Sequence, residues 1–418
     1  MDLLEGEEKD EPKSSEPPSY WTFHLPHDPC AHGMIPDRIV DHINEHDLWT
    51  MPVSLDHHTK RIQLRVPFAD EESCKPDEKD NDNDNDNDND NNEYWEVSMT
   101  RLLEEQIEFW RQDKTLLGNI LGPKPKGEQF PIVGAKFDVG VDRSAIGLLG
   151  MIGRGAHMTV YTQGPARGSR NKSGYIGLSS SSSDDYEKEY VFWIPRRHKG
   201  KSTYPGKLDQ AVAGGVARGE SPWECIVREA VEEAGSALTE EFVRSNAKPA
   251  GTVTWLNISD ERAGKGQGGL INPGILYVYD LELPDGGKDF KFKTVEGDIE
   301  SWSVMRADEV IAAMKRFEFK PSCAVVMIDF LVRHGLITAE NEPDYVEIVS
   351  RLHRVLPLPT SARREREGEM GRREKLEREK ERIEKMEKME EEIQQSISAE
   401  HDIMEELRYL RTSYEDGR

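Results

Sequence analysis

Apolar residues recur at helical spacing through "EVSMTRLLEEQIEFWRQDKTLLGNIL" (96–121), where Leu102, Ile107, Trp110 and Leu116 share a face. Apolar, β-rich runs then follow one another: "FPIVGAKFDV", "HMTVYTQ", "EYVFWIPRR", "GTVTWLNI" and "GILYVYDLEL". Two helix-patterned stretches close the series, "ADEVIAAMKRF" and "CAVVMIDFLVRHG". Strands interleaved with helices predict an α/β fold. Three stretches break the pattern. Residues 1–29 are acidic and contain Pro, Asp80 to Asn92 is a nearly perfect Asp-Asn alternation, and "GSRNKSGYIGLSSSSSDDYEK" is Ser-rich. The expected division is therefore a disordered acidic 1–29, an α/β accessory domain at 30–165 with a disordered insertion at 75–93, a flexible linker at 166–188, and a second α/β domain at 189–355.

Beyond residue 361 the pattern changes to charged residues and strong helix formers. Leu376, Ile383, Met386, Ile393, Ile397, Met404 and Leu407 follow a heptad-like spacing that Glu379, Glu390 and Glu400 interrupt. A charged helix over 361–418 is expected, either solvated and alone or self-associating as a coiled coil.

The formal net charge of −25 over 418 residues argues against a general binder of nucleic acid or anionic membrane. The Asp-Asn tract lacks the Gly turn and closing Glu of an EF-hand loop. Cys30, Cys74, Cys225 and Cys323 lie far apart, with neither a CxxC nor a paired-His spacing, so no zinc site or disulfide framework is expected. No signal-peptide pattern opens the chain and no apolar run reaches spanning length. A cytoplasmic protein is expected, with nucleus and mitochondrion left open.

Candidate chemistry is concentrated in "AGGVARGESPWECIVREAVEEAGS" (213–236). Ser221, Pro222 and Glu224 read as N-cap, first helical residue and capping-box partner, and Gly235 as the C-terminal stop. Glu229, Glu232 and Glu233 then stand at i, i+3 and i+4, on one helical face. Such a cluster repels itself unless a cation sits on it. Arg228 offsets part of that repulsion, and hard oxygen donors on one rigid face suit Mg²⁺ or Mn²⁺ better. A bare ExxEE in so Glu-rich a chain is most often a solvated helix face. The full spacing of Gly214, Glu220, Arg228, Glu229, Glu232, Glu233 and Gly235 would arise by chance on the order of once in ten thousand such chains.

That spacing resembles the Nudix box. The flanks "FWIPRRHKGKSTYPGKLDQAVAGGVARGESP" and "FKPSCAVVMIDFLVRHG" are similar to fungal Nudix proteins called thiamin pyrophosphokinase-related, which have plant relatives and an additional N-terminal domain. The similarity covers about residues 30–355. Ala230 and Ser236 stand where bulkier aliphatic residues are usual. The resemblance implies a Nudix α/β/α sandwich with a mixed sheet and an N-terminal α/β accessory domain. It further implies a Mg²⁺- or Mn²⁺-dependent hydrolase that cuts a small organic diphosphate to the monophosphate. Thiamin diphosphate or its oxidised analogues come first as substrate, and oxidised purine nucleoside diphosphates such as 8-oxo-dGDP second. Glu229, Glu232 and Glu233 would hold the metal, Glu220 support the loop and Arg228 orient a glutamate.

No GxxxxGK[ST] loop accompanies the kinase-like family name. A general base is sought in "KTVEGDIESW", at Glu296, Asp298 or Glu300. Arg196, Arg197, Lys199 and Lys201 form a basic cluster leading into the box, readable as a phosphate clamp or as a soluble surface loop. Trp255 and Tyr277 read as core aromatics, and His198 and His334 as structural. A non-catalytic ligand-binding module assembling through the tail is the alternative of another class. An isomerase of allylic diphosphates would need a reactive Cys that neither Cys225 nor Cys323 is placed to supply.

Overall fold

The computed structural model describes residues 19–45, 53–56, 58–64, 87–125, 127–165, 188–295 and 297–361. A four-stranded sheet comes first, built from β1 (Tyr20–His24), β2 (Ala31–Pro36), β3 (Val53–Asp56) and β4 (Arg61–Leu64) in the order β2-β1-β4-β3. Helices α1 (Asp37–Glu45) and α2 (Asn87–Arg111) accompany it. Trp21, Phe23, Ile39, Ile62, Leu102, Ile107 and Trp110 join one buried cluster, the face that the helical spacing predicts.

This first region departs from expectation in three places. Residues 20–24 form a strand inside the stretch expected to be disordered, because Trp21 and Phe23 alternate into the core. Helix α2 starts at Asn87, within the Asp-Asn insertion. The run from 96 to 121 is two helices. Asp113 ends the first by accepting the backbone N–H groups of Leu116 (3.0 Å) and Leu117 (2.7 Å), so a short α3 (Leu117–Leu121) restarts there.

After the hairpin β5 (Gln129–Pro131) and β6 (Gly140–Asp142) and the turn α4 (Ala145–Leu148), the second sheet begins. Its strands are β7 (Gly153–Pro165), β8 (Lys188–Arg197), β9 (Val212–Gly215), β10 (Lys248–Ile258), β11 (Ile271–Glu282) and β12 (Ile299–Arg306). They run β10-β11-β7-β8-β12, with β9 against β7. β11 and β7 are parallel and the other pairs antiparallel, so the sheet is mixed. This corrects the expected domain boundary at residue 165: strand 153–165 is central to the second sheet.

Alternation along β7 makes the sandwich. Ala156, Met158 and Val160 pack beneath α5 (Pro222–Ala234), while Tyr161 packs against α8 (Pro321–Arg333) on the opposite side. Helices α6 (Glu240–Asn246), α7 (Ala307–Lys315) and α9 (Tyr345–Leu352) complete the layers. The two sheets share buried surface. Met34 of β2 packs with Ile152, Ile271, Ile275, Leu356 and Leu358. Leu356 and Leu358, beyond the expected domain end at 355, are buried in this shared surface. Among the described residues no helix is long and apolar enough to cross a membrane. The linker 166–187, most of the Asp-Asn tract and the charged tail lie outside the described residues.

Candidate active site

Strand β9 leads through a turn into α5. Ser221 caps the helix, its Oγ accepting the Glu224 N–H at 3.2 Å, with Pro222 in the first turn. The expected capping box is only half made. Glu224 turns its carboxylate to Arg244 of α6 (2.6 and 3.2 Å), because two charge-assisted bonds outweigh one amide. Gly235 closes the helix at φ 56°, a conformation that favours glycine.

One guanidinium gathers the box. Arg228 donates to both oxygens of Glu220 (Nε–Oε1 2.9 Å, Nη2–Oε2 3.2 Å), to Glu229 Oε1 (2.9 Å) and to Glu232 Oε2 (3.3 Å). Glu233 stands apart, its Oε2 accepting the backbone N–H of Ala213 at 3.0 Å. Four of the five expected box residues are thus in direct contact. The fifth is tied back onto β9. Among the described residues no three His, Cys, Asp or Glu side chains are already gathered as a metal-ligand set. Arg228 stands between Glu229 and Glu232, bonded to both.

Burial acts on three of these carboxylates. Burial pushes the Glu229 carboxyl up, and Arg228 only partly opposes it. Burial pushes Glu233 further, to about 8; the Ala213 amide resists while Asp209 and Glu229 add to the rise. Burial also acts on Glu220, but the Arg228 fork and the Ala217 amide outweigh it and hold that carboxyl below its usual range. Hard carboxylate oxygens crowded on one face, with one arginine among them, are a donor set that fits a divalent cation.

Two glycines are fixed by close approach. A Cβ at Gly214 would fall 2.1 Å from Glu229 Oε1, and one at Gly215 would fall 2.2 Å from the Phe130 ring. Only glycine lets the carboxylate and the ring lie against this strand. Cys225 donates its thiol to the Gly215 carbonyl at 3.3 Å, and burial raises it to about 12. Cys323 is likewise raised to about 12 by burial and donates to Asp209. Neither thiol is an activated nucleophile.

The basic cluster is largely occupied. Arg197 donates to the Tyr204 and Thr203 carbonyls (3.1 and 2.8 Å) and to Asp209 Oδ2 (2.5 Å), and thereby staples the 198–207 loop. Arg196 donates to the Gly206 carbonyl at 2.8 Å. Lys199 pairs with Glu300 at 3.3 Å, and Lys201 bonds Asp298. Lys201 is half-buried and also lies within electrostatic reach of Glu233 and Asp209, so this loop borders the box. Of the three base candidates, Asp298 and Glu300 are held by these lysines, and Glu296 lies outside the described residues. Trp255 covers Gly274, leaving no room for a Cβ there, and Arg154 stacks over Tyr277 at 5.5 Å. His198 accepts the Gly200 N–H, and His334 pairs with Asp280 at 3.1 Å.

Sequence reasoning missed two groups. Asp209, His157, Lys320 and Cys323 form a partly buried polar patch within electrostatic reach of Glu233. There, burial and then Lys320 lower His157 to about 3, and its Nδ1 has no partner. "KLDQ" gave no spacing that would mark Asp209. The second group belongs to the N-terminal region. Arg218 of the box turn donates its backbone N–H to the Gln129 carbonyl (2.8 Å) and its Nη2 to the Asp138 carbonyl (2.6 Å), with an ion pair to Asp138 at 3.1 Å. The β5–β6 hairpin therefore grips the box loop, a pairing across about 80 residues that no local pattern announces.

Residues 183–324 match the family model described as the NUDIX domain. An uncharacterized protein of Saccharomyces cerevisiae is 36% identical over 240 residues, covering 56% of this chain and 63% of the relative. "Nudix hydrolase 20, chloroplastic" of Arabidopsis thaliana is 32% identical over 234 residues, covering 55% of this chain and 53% of the relative. "Nudix hydrolase 24, chloroplastic" of the same plant is 37% identical over 161 residues, covering 38% and 40%. The match thus spans roughly two-fifths to just under two-thirds of these curated relatives' own lengths. The family-model match falls on the segment holding the box carboxylates, their arginine and much of the sandwich, so residues 183–324 are similar to the Nudix family.

Proposed function

We propose that this protein is a metal-dependent Nudix hydrolase that cleaves a small organic diphosphate to the monophosphate. Thiamin diphosphate or its oxidised analogues come first among substrates, and oxidised purine nucleoside diphosphates second. One observation carries the reading: among the described residues Arg228 alone bonds Glu220, Glu229 and Glu232, while half-buried Glu233 bonds a backbone amide and no cation. Glu229, Glu232 and Glu233 would hold Mg²⁺ or Mn²⁺. Bound there, the ion neutralises diphosphate charge and lowers the pKa of an attacking water.

The chain's own residues do the rest. Arg228 braces Glu220 and Glu229, keeping the turn and the helix in register. Lys201, bordering Glu233, is the phosphate contact, and Arg196 and Arg197 hold the loop that presents it. Asp298 and Glu300 are the base candidates, kept beside that loop by Lys201 and Lys199. The names of the two plant relatives support hydrolysis, and the fungal resemblance of the flanks supports the thiamin series. Self-association through the tail is part of the same proposal.

The test is phosphate release with and without millimolar Mg²⁺ or Mn²⁺. The panel contains thiamin diphosphate, its oxidised analogues, 8-oxo-dGDP, ADP-ribose and capped RNA. Metal-dependent release from a thiamin compound is expected. Silence on every diphosphate from folded, metal-bound protein would favour the binding module instead.

A further inference from the structure

The N-terminal region touches the box at Gly215 as well as at Arg218. Phe130 of β5 lies against Gly215, so closely that no Cβ fits between them. Over that ring sits Arg143, its guanidinium 5.6 Å from the ring centre. Arg143 follows β6 directly. Its Nη1 pairs with Glu128 Oε2 at 3.0 Å, and its backbone N–H bonds the Glu128 carbonyl at 3.1 Å. The side chain is 46% exposed, and its ion pair with Glu128 uses Nη1. Its charge is felt at Glu229 of α5 and at Lys201 of the 198–207 loop.

The geometry points to Arg143 as a contact for the substrate's diphosphate, supplied to the Nudix site by the N-terminal region. An arginine with one of its three nitrogens engaged keeps a fork for phosphate oxygens. Phe130 fixes that fork beside Gly215, and Gly215 follows Gly214, against which the Glu229 carboxylate rests. A diphosphate lying on the box carboxylates through its metal would leave its far oxygens short of positive charge on the β9 side. Arg143 supplies it there. On this inference the N-terminal region completes the site, and its removal would take a substrate-binding group with it.

The inference rests on the diphosphate reading above, and the experiment separates the two. The probe is methylenediphosphonate, a diphosphate that cannot be hydrolysed, titrated by calorimetry into the full chain with Mn²⁺ present. Mn²⁺ alone is titrated in parallel. Arg143→Ala is expected to weaken diphosphonate at least about tenfold, to leave Mn²⁺ binding unchanged or slightly tighter, and to be partly rescued by Arg143→Lys. Glu128→Gln, which frees the guanidinium, is expected to bind diphosphonate as well as wild type or better. Equal diphosphonate binding by wild type and Arg143→Ala would overturn the assignment and leave the Nudix reading intact. A loss in Glu128→Gln matching that of Arg143→Ala would also overturn it, showing that the pair serves the fold. Wild type that binds Mn²⁺ but no diphosphonate would overturn both.

Discussion

Helices α5 and α8 are both 13 residues long, both begin with proline, and they cover opposite faces of one sheet. They treat charge in opposite ways. On α8, Arg333 reaches Asp329 at 2.7 Å and Asp280 at 2.6 and 3.0 Å, and His334 joins Asp280, so each carboxylate there has a cation. On α5 and its turn, three glutamates share Arg228, and among the described residues Glu233 is bonded to a backbone amide rather than to a cation. Charges matched within the chain hold a fold together. A surplus held on a rigid face is a place for an outside cation.

The largest expected effect breaks the surplus. Glu232 is 58% exposed, so Glu232→Gln should lower metal-dependent phosphate release by about 1000-fold while leaving the melting temperature unchanged. The opposite helix should respond in reverse. Arg333→Ala strands Asp280 and Asp329, so urea denaturation should show a loss of about 3 kcal/mol, with turnover per folded molecule retained. Gly214→Ala places a methyl where the Glu229 carboxylate lies, and Mn²⁺ affinity by calorimetry should fall about 10–100-fold.

The smallest effects are in pH, and their signs differ. Glu233 is raised to about 8, so its contribution to ion-free stability is complete in acid, below the ordinary value of 4.5, and is lost as pH rises through 8. Because an ion displaces that proton, Mn²⁺ affinity should climb up to about tenfold per pH unit below 8. Burial acts upward on Asp209, but Lys320, Arg197 and Cys323 hold it below its usual range. Its contribution is present at neutral pH and is lost as pH falls. Thermal melts from pH 4 to 9, with and without Mn²⁺, check both signs.

The box was legible because its order is local. A cap, a proline, i and i+4 carboxylates and a stopping glycine lie within two dozen residues, and each constrains its neighbours by helical geometry. Strand candidates were legible for the same reason. What escaped the sequence is long-range. β7 reads as the last strand of a first domain until its pairing with β11 is seen, 121 residues on at Gly153↔Gly274 and beyond. Arg197 reads as a phosphate ligand until the carbonyls of Thr203 and Tyr204 curl around it. Glu224 satisfies the capping-box rule, yet Arg244 draws it away. Nothing local reveals that Gln129 and Asp138 grip Arg218.

The most direct test of the account is a Mn²⁺ titration of wild-type protein and Glu232→Gln at pH 8, followed by calorimetry. The account predicts saturable Mn²⁺ binding to wild type and its loss in a variant that melts at the same temperature. Folded wild type that takes up no Mn²⁺, or a variant that binds it equally well, would contradict the claim that the surplus on α5 is a cation site.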